Sequence, residues 1–333
     1  MKKSYQIILS LAIAVLMIAA IFIFVDPKDT WDKIKNANPY WIILALGISM
    51  LSHLSRARRW NLLLEPLGYS PSLKNTFLAI MTGYFGNIFI PRGGEVMRCV
   101  VLNRSDKIPM ASSLATVVAE RIIDLLCLGF LVVFSLFLEY EKFLFLIKDG
   151  LSGKNNEPGL LSKYLPWFIG IGMLFLLVLI IFRNHSFVIK IKNFIVQLFK
   201  EAYQSFIKLE KKKEFVFQTL FIWTAYYFMT YVVFFSLPFT SNLGPMAGLV
   251  ILIAGAIGMS VPASGGAGSF HFFVALGLTL FYGLSQDDGV AYAFVLHSSQ
   301  FVLMLVLGGV CALISFFIIG KKEIISTKEK IKS

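Results

Sequence analysis

Residues 111–138 read ASSLATVVAERIIDLLCLGFLVVFSLFL. At ~1.5 Å rise per residue, a helix over this run outspans the ~30 Å hydrocarbon core of a bilayer. Its apolar character admits no other helix of that length except a membrane span. Three ionisable residues, Glu120, Arg121 and Asp124, nevertheless interrupt it. Insertion of such a group at the centre of a span costs roughly 2.5–3.5 kcal/mol, so it must pair, reach water or serve function. Glu120 and Asp124 stand four apart on one face, and Arg121 stands three before Asp124.

The rest of the chain supports the same class. It has 57% hydrophobic and 15% charged residues, against roughly 25% charge in soluble domains. The net charge of +12 is spread over segments between apolar runs, as in the cytoplasmic loops of membrane proteins. No basic stripe or recognised module makes nucleic acid a partner. The three cysteines and four histidines show no metal-ligand spacing, and Walker A, Gly-x-Ser-x-Gly and zinc motifs are missing. The reading is therefore of a chain with neither metal nor cofactor that is not an enzyme.

Hydropathy predicts six full spans: Tyr5–Val25, Pro39–Ser55, Ala111–Leu138, Leu160–Phe182, Phe215–Leu237 and Val290–Ile319. The first is too long for the apolar region of a signal peptide and has no clear cleavage site before Asp26. Span two ends in Arg56-Ala57-Arg58-Arg59-Trp60, which reads as an interfacial anchor. Residues 183–213 are strongly basic with apolar residues at helical spacing, suggesting an amphipathic cytoplasmic helix. The tail, residues 321–333, is basic too. Alternating through six spans from an inside N-terminus puts every strongly basic segment inside, together with the C-terminus. The expected location is the cell (inner) membrane, with 1–320 as one integral membrane domain.

Two further apolar segments, Ser72–Pro91 and Gly244–Gly283, are each broken by a Gly/Pro cluster. Six-span parity requires each to enter and leave on one side, so they are read as re-entrant or broken helical hairpins. Their breaks, Pro91-Arg92-Gly93-Gly94-Glu95 and Pro262-Ala263-Ser264-Gly265-Gly266, resemble each other and lie in opposite halves, 1–138 and 160–320. That pattern suggests an inverted repeat with a binding site near the midplane. The fold class is accordingly all-α, a polytopic helix bundle.

Candidate binding residues follow from the polarity of the segment Gly83 to Asp124. Asn87, Arg92, Glu95, Arg98, Glu120, Arg121 and Asp124 are its polar members at membrane depth. Arginines there suit a phosphate, because the planar guanidinium donates two parallel hydrogen bonds. The bland alternative is a salt-bridge network locking helices together. Arg56, Arg58 and Arg59 are weaker candidates, explained by anchoring. In the second half Pro262, Gly265, Gly266, His271, His297 and Gln300 form a possible second half-site, in which no charged residue lies between Ser260 and Phe270.

At these residues the chain resembles the flippase-like family that includes the membrane region of lysylphosphatidylglycerol synthases. The likeness is carried by Arg59-Trp60, Gly83 to Asn87, Gly94-Glu95-x-x-Arg98, Glu120-Arg121-x-x-Asp124, and Pro262, Gly265-Gly266, Gly268 and Phe270. It covers about Pro39 to Ile319. It implies a membrane domain that moves or handles phospholipid between leaflets, in a stand-alone form lacking the aminoacyl-transfer domain. It also implies an acidic residue near His271 and an arginine near Ser298, and this chain has neither. The expected function is thus lipid transport with membrane phospholipids as partners and a homo-oligomer as an open possibility. A lipid-modifying membrane enzyme and an accessory scaffold for envelope biosynthesis are the competing classes.

Overall fold

The computed structural model describes residues 27–144, apart from 91, and 207–332, apart from 262, with a few isolated positions between. The expected spans at Tyr5–Val25 and Leu160–Phe182, and most of the 183–213 segment, lie outside the described residues. So do Pro91 and Pro262. Among the described residues every regular element is helical: α1 Pro27–Lys35, α2 Pro39–Leu64, α3 Leu73–Phe89, α4 Gly93–Asp106, α5 Met110–Leu138, α6 Lys212–Phe234, α7 Pro245–Ser260, α8 Ser269–Tyr282 and α9 Gln286–Lys332.

Local chemistry explains the helix starts. Asn38 caps α2 by accepting from the Tyr40 N–H, and Pro39 occupies the first turn, where no N–H is needed. Ser72 caps α3 through Asn75. The α5, α6 and α9 helices are long and apolar enough to cross a membrane, and α1 with α2 forms a fourth such unit bent by 83°. This is a multi-pass membrane protein.

Contacts at the helix ends fix how the pieces run. At one end Asn61 donates to the Pro71 carbonyl, Asn75 bonds Asp106, and Lys211 pairs with Glu65. That end gathers the close of α2, the feet of α3 and α4, and the start of α6. At the other end Lys33 pairs with Asp288, Tyr227 donates to the Pro245 carbonyl, and Phe143 stacks edge-on against Phe281. There lie α1, the starts of α7 and α9, and the close of α5 and α8. Thus α2, α5, α6 and α9 run from one end of the bundle to the other, while α3–α4 and α7–α8 are hairpins whose feet lie at opposite ends.

The two hairpin tips meet. Arg92, held at φ 58° between α3 and α4, donates from Nη2 to the Ser260 carbonyl at the end of α7. Each hairpin closes over glycine. A Cβ on Gly83 would come 2.8 Å from the Gly94 oxygen, and one on Gly258 would come 2.7 Å from the Phe270 Cα. Within the second tip, Gly265, Gly266 and Gly268 all adopt positive φ, which side-chain-bearing residues resist. Gly266 and Gly268 are buried within the second tip, whereas Ile90, Arg92 and Ser260, where the tips meet, stay exposed.

One boundary differs from the sequence reading. The helix expected to stop at Ser55 continues as α2 to Leu64. The basic run that resembled an interfacial anchor is largely internal, with Arg56 and Arg59 buried beside Trp60. Their charges need no water because carboxylates from other helices meet them.

Candidate functional site

The centre of the site is Glu120 on α5, wholly buried. Its Oε1 accepts from Arg56 at 2.8 Å and Arg59 at 3.1 Å, both on α2. Its Oε2 lies 2.8 Å from Arg98 of α4. One turn along α5, Asp124 accepts from Arg59 at 2.8 Å. Asp124 also lies 3.3 Å from Arg121 and 3.8 Å from Arg56. Three helices therefore converge four guanidiniums on two carboxylates, an excess of two positive charges. Counting Glu95, one turn before Arg98, the balance stays positive.

Surrounding groups hold this cluster in place. The Arg98 guanidinium lies 4.6 Å over the Trp60 ring, whose Nε1 donates to Thr116 on α5. Arg56 donates to the Tyr226 hydroxyl of α6 at 2.8 Å and lies 5.8 Å from the Tyr84 ring of α3. Donors remain unspent nonetheless. Arg59 Nε and Nη1, and Arg56 Nε, are buried without a hydrogen-bond partner. Burying such donors is costly, so they mark where a further acceptor would fit. Arg121, with 44% of its side chain exposed, stands at the rim. Arg58 points elsewhere, gripping Glu214 of α6 through Nε at 2.6 Å and Nη2 at 3.0 Å. Counting inward from Leu64, the α2 arginines Arg59 and Arg56 lie ~8 to ~12 Å along the helix.

Of the residues singled out from sequence, Arg98, Glu120, Arg121 and Asp124 come together. Asn87, Arg92 and Glu95 join them through no hydrogen bond or ion pair among the described residues. Asn87 instead accepts from the Gly94 N–H at 2.7 Å and caps α4. Arg92 bridges the tips, and Glu95 Oε2 is buried without a hydrogen-bond partner. Arg56 and Arg59 are the residues that sequence reasoning underweighted. The signal that could have found them was their spacing, three apart and so on one helix face, against carboxylates needing partners.

The second half-site forms around the other tip. His297 Nε2 lies 2.9 Å from the Gly265 carbonyl, and the Gly268 N–H reaches His271 Nδ1 at 3.3 Å. The two imidazoles lie 4.8 Å apart between centroids. A Cβ on Gly266 would lie 3.8 Å from His297. Gln300, one turn on from His297, turns instead to α2, where its Oε1 accepts from Ser49 at 2.7 Å.

An all-helical membrane bundle with two opposed hairpins and a buried arginine–carboxylate cluster defines the class. A family model described as Lysylphosphatidylglycerol synthase TM region matches residues 7–308, and the chain belongs to that family. It is 34% identical over 117 residues to a UPF0104 membrane protein of Methanocaldococcus jannaschii, covering 34% of this chain and 35% of that one. A UPF0104 membrane protein of Archaeoglobus fulgidus is 30% identical over 210 residues, 62% of this chain and 57% of the relative. Glycosyltransferase AglD of Haloferax volcanii is 29% identical over 128 residues, 38% of this chain but only 20% of its own length. The chain thus spans between a fifth and rather more than half of these relatives. No solved structure matches.

Proposed function

We propose that the protein is a flippase-like lipid transporter whose buried arginines receive the anionic head group of a phospholipid. The observation that carries this reading is the charge excess at Glu120, with buried Arg56 and Arg59 donors unspent. A phosphate would take over from Glu120 and Asp124 as acceptor, drawing on bidentate guanidinium geometry. The carboxylates keep the arginines paired between visits, which lowers the penalty of an empty site. Family membership supports a lipid-handling membrane region. Arg121 at the rim is the first contact for an entering head group.

Transport is tested in liposomes carrying a labelled phosphatidylglycerol or a labelled phosphatidylcholine. The wild-type protein should speed leaflet exchange of the anionic lipid over protein-free vesicles. Arg98→Ala and Arg121→Ala should abolish most of that gain. Equal exchange by wild type and both variants, with normal thermal unfolding, rejects the reading.

The same proposal places the protein in the cell (inner) membrane with six spans and both termini in the cytoplasm. The basic end of the bundle, near Lys211 and Lys107, then faces inside. Single cysteines at Lys107 and Lys35, in a background without Cys99, Cys127 and Cys311, should label from opposite faces of intact cells. Labelling of Lys107→Cys from outside contradicts the orientation. The match to a glycosyltransferase favours one second reading, an enzyme or accessory in lipid-linked biosynthesis. A deletion strain lacking a particular lipid species altogether, instead of accumulating it on one leaflet, would favour that reading.

A further inference from the structure

Hydrogen bonds at the second tip fix the imidazole tautomers. A carbonyl only accepts, so His297 carries its proton on Nε2, facing Gly265, and Nδ1 keeps its lone pair. His271 accepts the Gly268 N–H on Nδ1, so its own proton is on Nε2, which is buried and unpartnered. A polar track leads from here to the arginine cluster. Gln300 follows His297 by one turn, and Ser49 donates to it at 2.7 Å while lying 3.1 Å from His53 Nε2. His53 stacks 4.8 Å from Tyr84, which in turn lies beneath Arg56. Along this line His53 Nδ1 and Gln300 Nε2 are buried and unspent.

The two ends of the track differ in kind. The arginine end is permanently charged. The α7 and α8 helices bring no ionisable side chain to the other end except His271. Of the charged and titratable groups on neighbouring elements, Arg92 reaches this tip through the Ser260 carbonyl and Glu95 stands in the first turn of α4, while His53, Tyr84 and Arg56 follow along the track beyond Gln300 and Ser49. Asp287 and Asp288 lie in the first turn of α9, ~13–15 Å along the helix from His297. Among the described residues neither histidine pairs with a carboxylate.

Resting on the transport reading, we infer that His297, assisted by His271, is a proton site that couples movement of the anionic lipid to a pH gradient. A proton from water adds to His297 Nδ1 and turns the pair into a cation with two outward N–H donors. An imidazolium formed there has no carboxylate paired with it among the described residues, and an arriving phosphate supplies that counter-charge. Each is costly away from water, and together they neutralise, so binding of one favours binding of the other. One proton accompanies one singly charged lipid and is released at the far face. The cycle moves no net charge.

The test is the steady leaflet distribution of labelled phosphatidylglycerol in proteoliposomes under an imposed pH difference, or under an imposed voltage at equal pH. For wild type the distribution should shift toward tenfold per pH unit and ignore voltage. His297→Gln, which can still donate to Gly265, should lose the pH response, as should His271→Gln with His297→Gln. A wild-type distribution that follows voltage and ignores pH overturns the inference while leaving transport intact. So does a His297→Gln variant that keeps the full pH response. Absence of any lipid movement in wild type overturns the transport reading itself and this inference with it.

Discussion

Glu120 serves three arginines with two oxygens, and its neighbour Arg121 lies 3.4 Å from the first of them. Removing its charge strands Arg56, Arg59 and Arg98 out of water. Glu120→Gln should therefore destabilise the protein by ~3–5 kcal/mol, read as a lowered unfolding midpoint in detergent. Arg121→Ala, at a half-exposed rim, should cost no more than about 1 kcal/mol. Equal effects from the two would mean the cluster is not internally compensated. The carboxylates were legible in the sequence because a charge inside an apolar run demands explanation. Arg56 and Arg59 were not, since a basic cluster at the end of an apolar run is equally what an interface produces. Only their burial against Glu120 separates the two cases.

The hairpins carry the next scale. The sequence points to them through Gly/Pro breaks in two apolar segments taken together with six-span parity, and the chain shows both breaks openly. What it conceals is the closeness of the crossing. The Gly94 position is filled by the Gly83 carbonyl and Asn87, so even one methyl group has no room. Gly94→Ala should pry α3 from α4 and cost at least ~1–3 kcal/mol, with loss of anionic-lipid exchange because Arg98 rides on α4. An unfolding midpoint unchanged from wild type would show that the hairpin is looser than described. Asn87 illustrates the limit of reading polarity as function. A polar side chain near a break looks like a ligand contact, and here it satisfies the free N–H at the start of α4.

For the whole molecule, hydropathy and composition anticipated a polytopic all-helical membrane protein, because the hydrocarbon core dictates the length and apolar character of its helices. The extent of α2 was misjudged for the reason given above, that paired arginines can stay inside. The track from the arginine cluster to the His271–His297 tip had no sequence signature, since Ser49, His53, Tyr84 and Gln300 are brought together only by packing. The account rests on an anionic head group reaching the arginines. The most direct measurement is a structure determined in nanodiscs of anionic phospholipid. It should show a lipid phosphate within hydrogen-bond distance of Arg59, Arg98 or Arg121, with Glu120 or Asp124 displaced from at least one of them. Lipid confined to the outer apolar faces, with both carboxylates still holding all four arginines, would contradict it.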